Sequence, residues 1–212
     1  SSDGGMVLRL YQLIGCAVRR MCQNSIDFRR GNAHPSLVLL GACPGQDEWN
    51  ADPQRPFAGR SGVNLRHLLE VLRDLPNKEV YGLQAGDFLS ANLDDYTLMN
   101  SHADAKWLAE HGRSMPRMSE IESDDNLLRL TNQLQFVAAR FVIGLGRSVT
   151  DAHLARQAKD SGPLRAIRLL VPTHPGVSFC ISGHPSQQAV NRYGEGNPRQ
   201  WFEKTLRRLQ WD

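Results

Sequence analysis

The sequence predicts an α/β domain, a three-layer α/β/α sandwich around a central four-stranded, mostly parallel sheet. Three observations carry this. Four short apolar runs, at 36–40 (SLVLL), 96–100 (YTLMN), 140–145 (RFVIGL) and 177–182 (VSFCIS), have the length and the branched side chains of buried strands. Segments with apolar spacing near 3.6 residues stand between them. Strands that alternate with helices run parallel, because each helix carries the chain back over a face of the sheet.

Taken in order, residues 7–23 read as a helix, and the run 36–40 ends in glycine-rich punctuation, as a buried strand does. Residues 63–73 form an amphipathic helix, and 96–100 the second strand. The polar stretch 101–119 is long for a connection and reads as an insertion or flexible loop. A long helix follows over 120–138, with Ser119 and Glu122 in capping-box spacing. The third strand, 140–145, leads into a helix over 147–158, and 177–182 is the fourth strand. Residues 198–209 close the chain as a helix, with Pro198 in its first turn. Ser1–Gly5 precede the first Met and have the character of an expression scar, so residues 6–212 are expected to form one domain. There is no internal repeat and no low-complexity tract.

Composition excludes several classes. At 41% hydrophobic and 22% charged residues the chain is globular rather than disordered. Mean hydropathy is −0.42, and no apolar run approaches the length of about 18 residues needed to cross a bilayer, so no membrane partner is expected. Cysteines at 16, 22, 43 and 180 form no CxxC and no metal-ligand spacing, which predicts reduced thiols in a cytoplasmic protein and no bound metal. Net charge is +3, and only four of the 25 basic residues are lysines. Arginine suits bidentate phosphate contacts, so a polyanion partner is permitted without being required.

In open parallel sheets ligands lie beyond the carboxyl ends of the strands, which directs attention to three segments. The first is Gly41–Gly62, GACPGQDEWNADPQRPFAGRSG. Its glycines allow close backbone approach to a ligand, and Phe57 sits between Arg55 and Arg60, where an aromatic ring can stack on a base or plug the core under the loop. The second is Gly183-His184-Pro185-Ser186, directly after the last strand. A histidine there can bond a leaving-group oxygen and a serine can hold a phosphate. The third is Asn100, whose amide offers a donor and an acceptor side by side, as reading a pyrimidine edge requires.

Together these segments resemble the uracil-DNA glycosylase superfamily. GACPG followed by RPFAGRSG is similar to the branch with a GEAPG loop and a GRPFVG-type stretch, GHPS resembles the motif after the last strand, and VIGLG at Val142–Gly146 is similar to the strand and turn that precede it. The resemblance covers roughly residues 36–205 in element order. It implies that Gly41, Ala42, Cys43, Pro44 and Gly45 line the pocket, that Phe57 stacks on an everted base, and that Asn100 reads the base edge. It also implies that His184 stabilises charge on the departing base and that Ser186, Arg192 and Arg60 contact the DNA backbone. Gln188 stands where many relatives carry a leucine wedge, which makes the plug polar and duplex insertion weaker.

The departures are as informative. Relatives carry a carboxylate or amide at the second or third loop position, whereas this chain has Ala42 and Cys43. Asp47 and Glu48 are the best substitutes for orienting water, with Gln46 a weaker one. The paired cysteines of the iron–sulfur branch are absent, so no cluster and no cofactor are expected. The Arg/Lys-Cys-Arg-Pro stretch expected after the second strand is replaced by Ser101-His102-Ala103-Asp104, of which His102 or Asp104 can reach the pocket. Pro172-Thr173-His174-Pro175-Gly176 offers a second candidate histidine. His184 is preferred because an apolar strand precedes it and a helix bearing Trp201 follows.

The expected activity is monofunctional hydrolysis of the N-glycosidic bond of an everted uracil in DNA, single- or double-stranded, leaving an abasic site. The expected protein is a monomer working in the cytoplasm, at the nucleoid if bacterial. The alternatives are a glycosylase for another modified or deaminated base, a DNA-damage-binding module with an impaired site, and a nucleotide-binding α/β domain.

Overall fold

The computed structural model describes residues 24–146 and 161–209. Its strands are β1 (Phe28–Arg29), β2 (His34–Gly41), β3 (Tyr96–Asn100), β4 (Phe141–Gly146), β5 (Ser178–Gly183) and β6 (Arg207–Arg208). Its helices are α1 (Gln46–Asn50), α2 (Arg60–Asp74), α3 (Leu108–His111), α4 (Met118–Ile121), α5 (Asp124–Phe136), α6 (Gly162–Leu170), α7 (Gln187–Tyr193) and α8 (Pro198–Thr205). The segments 7–23 and 147–158, expected to be helical, lie outside the described residues.

The strands form one sheet in the order β1-β3-β2-β4-β5-β6. The inner four are parallel and are the four that the apolar runs predict. The expected four-stranded sheet becomes six-stranded, because β1 and β6 add antiparallel to its two edges. Strands of two residues are too short to show alternation in sequence, and they arise because the edges of β3 and β5 offer unpaired backbone groups.

Alternation along each inner strand builds the layers. On β2, Leu37 and Leu39 face one side, and Val38 and Leu40 the other. The first side is covered by α2 and α8 through Leu65, Leu68, Leu72, Trp201 and Phe202. The second is covered by α4, α5 and α6 through Ile121, Leu130, Leu134, Ala166 and Ile167. Each such side chain contributes about 1.5–3 kcal/mol relative to exposure.

Several local expectations change. The helix expected over 120–138 breaks into α4 and α5. The Ser119–Glu122 capping box is absent; instead the Glu120 carboxylate accepts the Arg117 N–H at 2.6 Å, and Ser123 stands at the start of α5. At the break, Asn126 Nδ2 donates to the Ile121 carbonyl at 2.9 Å, which the helix no longer satisfies. The closing helix ends at Thr205, because Arg207 and Arg208 leave it to pair with Ile181 and Cys180. The stretch 101–119 is tied down at its start, where Ser101, His102 and Lys106 donate backbone hydrogen bonds to Gly41, Ala42 and Pro44. Helix α6 escaped the periodicity reading, although Ser161, whose hydroxyl accepts the Leu164 N–H, and Pro163 mark its start.

The topology fixes where a ligand lies. From β2 the chain moves to β3 on one side, then to β4 and β5 on the other, so its direction reverses between β2 and β4. A crevice opens beyond the carboxyl ends at such a reversal. Gly41, Asn100 and Gly183 end their strands at that edge, with Gly41 registered to Asn100 and Gly146 to Gly183. None of the described helices is long and apolar enough to cross a membrane.

Candidate active site

The site is built around Gly41. Any Cβ there would fall 2.5 Å from Asn100 Oδ1 and 2.7 Å from Phe57 Cζ. Only glycine lets the amide and the ring share this corner. The Phe57 ring is 7% exposed and belongs to the core cluster that includes Leu65, Val190 and Trp201. It is therefore a plug under its loop, and its ring edge also forms a wall of the corner at Gly41. Its φ is 55°, a left-handed conformation that costs a residue with a Cβ roughly 1–2 kcal/mol and that clusters at ligand sites.

Asn100 is 2% exposed, yet its amide has no hydrogen-bond partner among the described residues. Its backbone is fully engaged. The N–H donates to the Asp27 carbonyl at 2.9 Å, and the carbonyl accepts from Arg129 Nη2 at 3.1 Å.

Beyond Gly41, Ala42 and Pro44 are buried, and Cys43 is half-buried. Burial pushes the Cys43 thiol up to about 12, with the nearby Glu48 carboxylate adding to the effect, so the thiol is inert as a base. Its Sγ lies 3.7 Å from the Ser114 carbonyl. Gln46 and Asp47 are exposed, and Glu48 is half-buried. Asp47 packs directly on Gly59, where a Cβ would sit 1.9 Å from its Oδ2, so its carboxylate lies at the start of α2 and favours the positive end of that helix. The Glu48 carboxylate accepts the Gly45 N–H at 2.8 Å. Desolvation raises its pKa above the ordinary 4.5, against the pull of the backbone N–H groups of Glu48 itself, Gly45 and Phe57. Of the two substitutes for the missing loop carboxylate, Glu48 is thus the one coupled to both Gly45 and Phe57.

His184 follows β5 directly. Its carbonyl accepts from Trp201 Nε1 at 3.0 Å, and its Nδ1 accepts the Ser186 N–H at 3.1 Å. An accepting Nδ1 places the ring proton on Nε2. His184 is half-buried, and desolvation by the surrounding protein pushes its pKa down to about 4. His184 is therefore neutral at pH 7 and carries an N–H with no partner among the described residues. Protonation would set a second N–H against that of Ser186.

By strand spacing, the ends of β5 and β2 stand about 10 Å apart. The loops that leave them are laced together: Asn64 Nδ2 donates to the Pro185 carbonyl at 2.8 Å, and Arg60 Nε donates to Gln187 Oε1 at 2.9 Å. Arg60 is thus engaged across the seam. The Ser186 hydroxyl accepts the Ala189 N–H at 3.3 Å and caps α7, which leaves its own O–H available to donate. Gln188 and Arg192 are exposed on α7 along an open groove, with the Arg192 guanidinium 5.4 Å from the Tyr193 ring centre. The His102 ring is buried and its Nδ1 accepts the Asp104 N–H at 3.2 Å, while Asp104 itself is exposed. His174 lies ahead of β5, at the opposite edge of the sheet from Asn100 and Gly41.

The corner at Gly41 brings a ring face and an amide together, while the His184 imidazole stands at the end of β5, about 10 Å away across the crevice by strand spacing. The sequence profile of the Uracil DNA glycosylase superfamily matches residues 28–210. The chain belongs to that superfamily. No curated protein matches it. As a superfamily member it is a DNA glycosylase in the broad sense, a hydrolase of DNA repair, and DNA is its partner.

The sequence reading of this glycosylase missed three groups. Arg129, Asn126 and Asp27 form a buried network behind Asn100. Asn64 laces the two loops, and its place on the apolar face of α2 was the available signal. Trp49 and Trp107, with ring centres 5.9 Å apart, flank a cavity of about 580 Å³ beside the loops that follow β2 and β3.

Proposed function

We propose that the protein excises uracil from DNA, hydrolysing the bond between C1′ and the base and leaving an abasic site. The convergence of the Phe57 ring and the Asn100 amide on Gly41 carries this reading. Phe57 stacks on the everted base. The Asn100 amide donates to O4 and accepts from N3–H, a pattern that cytosine reverses at position 4.

Bond breaking leaves negative charge on the base and positive charge on the sugar. The neutral His184 Nε2–H meets the developing anion at O2, a role worth on the order of 3 kcal/mol for one preorganised donor. A low pKa suits that role, because a neutral donor keeps its bond to Ser186 throughout. Water is held by Glu48, whose carboxylate desolvation makes more basic than an ordinary one; Asp47 packs at the start of α2 instead. No covalent enzyme intermediate is needed, so the enzyme is monofunctional.

The test is abasic-site cleavage on single- and double-stranded oligonucleotides carrying uracil, beside a panel with other deaminated or modified bases. The expected result is uracil release, with His184→Ala lowering turnover roughly 10²–10³-fold while DNA binding persists. Release of a different base, with uracil untouched, would overturn the uracil assignment. Turnover unchanged in His184→Ala would remove the histidine from the reaction.

A further inference from the structure

We infer that Arg129 is a positioning residue for base recognition: it holds the peptide on which the Asn100 amide is mounted. The inference rests on the reading of Asn100 as the base-reading group and assigns a second residue to that task.

The geometry is a closed ring. Arg129 Nη1 donates to Asp27 Oδ2 at 2.7 Å, and Arg129 Nη2 donates to the Asn100 carbonyl at 3.1 Å. The Asn100 N–H in turn donates to the Asp27 carbonyl at 2.9 Å. One ion pair therefore grips both peptide groups that flank the Asn100 side chain. Both of its members are nearly buried, with side-chain exposures of 12% and 11%. Asn126 extends the grip. Its Oδ1 takes two hydrogen bonds from Arg129, and its Nδ2 donates to the Ser101 carbonyl at 2.9 Å. Ser101 then bonds the first loop, its Oγ donating to the Ala42 carbonyl at 2.7 Å and its N–H to the Gly41 carbonyl at 2.8 Å. The network thus sets Asn100 and Gly41 relative to each other.

The chemistry of guanidinium explains the choice. Its planar fork reaches Asp27, Asn126 and the Asn100 carbonyl at once, whereas an ammonium on a single stem cannot span all three. A burial this deep is costly for a pair whose only task is stability, since well-packed apolar residues serve as well or better. Discrimination between uracil and cytosine turns on hydrogen bonds to the base edge and needs the amide held to about 0.5 Å.

Arg129→Met would strand Asp27 without a counter-charge and is expected to unfold much of the protein. Arg129→Lys is the informative variant, because it keeps the charge beside Asp27 and gives up the second arm. We expect it to remain folded, with the uracil-to-cytosine excision ratio falling about tenfold and kcat falling more than KM rises. In parallel, the Asn100 side-chain amide resonances should shift in the free protein, and their response to added free uracil should weaken. A variant that loses only thermal stability, with ratio, kcat and Asn100 resonances unchanged, would overturn the inference. The two readings fail separately. A wild-type protein inactive on every oligonucleotide refutes the proposed reaction, while unmoved Asn100 resonances in the folded variant refute the role of Arg129.

Discussion

The two sides of the crevice are built to different standards. At the β3 side, Asn100 is fixed by a buried network in which both neighbouring peptide groups have partners. At the β5 side, His184 is held at its carbonyl and at Nδ1, and beyond it α7 presents Gln188 and Arg192 to solvent. Under the proposed function, the contrast matches what each side would have to do. Reading a base edge depends on short, directional hydrogen bonds, which a locked side chain serves best. Contacts to a phosphate backbone position the chain without reading sequence, and long exposed side chains can adapt to it. His184 stands at the boundary, fixed enough to keep its tautomer and accessible enough to meet a ligand.

The contrast predicts where substitutions hurt most. Glu48→Gln should cost roughly 10²–10³-fold in kcat, because the amide keeps an acceptor for the Gly45 N–H but cannot take a proton from water. The parent's acid limb, set above the ordinary carboxylate value of 4.5 by the desolvation of Glu48, should vanish with it; a pH–rate profile checks both. Gly41→Ala should lower kcat/KM about a hundredfold, since the new methyl displaces the Asn100 amide or the Phe57 ring by a sizeable fraction of an ångström. Because the Phe57 ring is packed in the core, the variant should also melt somewhat earlier, and a variant that melts early with normal kinetics would show that the corner is structural only.

A smaller effect appears in stability. Folded His184 binds its proton near pH 4, whereas an unfolded histidine binds one near 6.5. The unfolded state therefore gains protons first as pH falls. Stability is full above about 6.5 and declines towards pH 4, by about 3 kcal/mol. Denaturant melts at pH 5 and pH 7 should show the loss, and His184→Gln should flatten it. The smallest effect belongs to the exposed side. Arg192→Ala should raise KM about two- to fivefold and reduce the salt slope of DNA binding by about one, with kcat intact. A large kcat effect there would erase the distinction between the two sides.

How much of this was legible in the sequence follows the same division. The parallel strands were readable because buried strands are short apolar runs, and the loops because strand ends in such folds hold ligands. Phe57, Asn100 and His184 could be singled out for the same reason. The edge strands could not be read, because two residues carry no period. The Arg129 network was also hidden. Asp27, Asn100 and Arg129 are far apart in the chain, and a polar residue inside a helical pattern looks the same whether it faces water or a buried carbonyl. The split between Asp47 and Glu48 was invisible too, since adjacent carboxylates differ only by which way the first turn of α1 aims them.

The central claim is that the amide mounted beside Gly41 reads the base, and the most direct measurement exchanges its donor for an acceptor. In Asn100→Asp, the side chain can accept from the 4-amino group of cytosine but cannot donate to O4 of uracil. The uracil-to-cytosine excision ratio, measured on matched single-stranded oligonucleotides, should fall by on the order of a hundredfold or more, with cytosine release becoming detectable. A folded variant that keeps the parent's ratio would contradict the account.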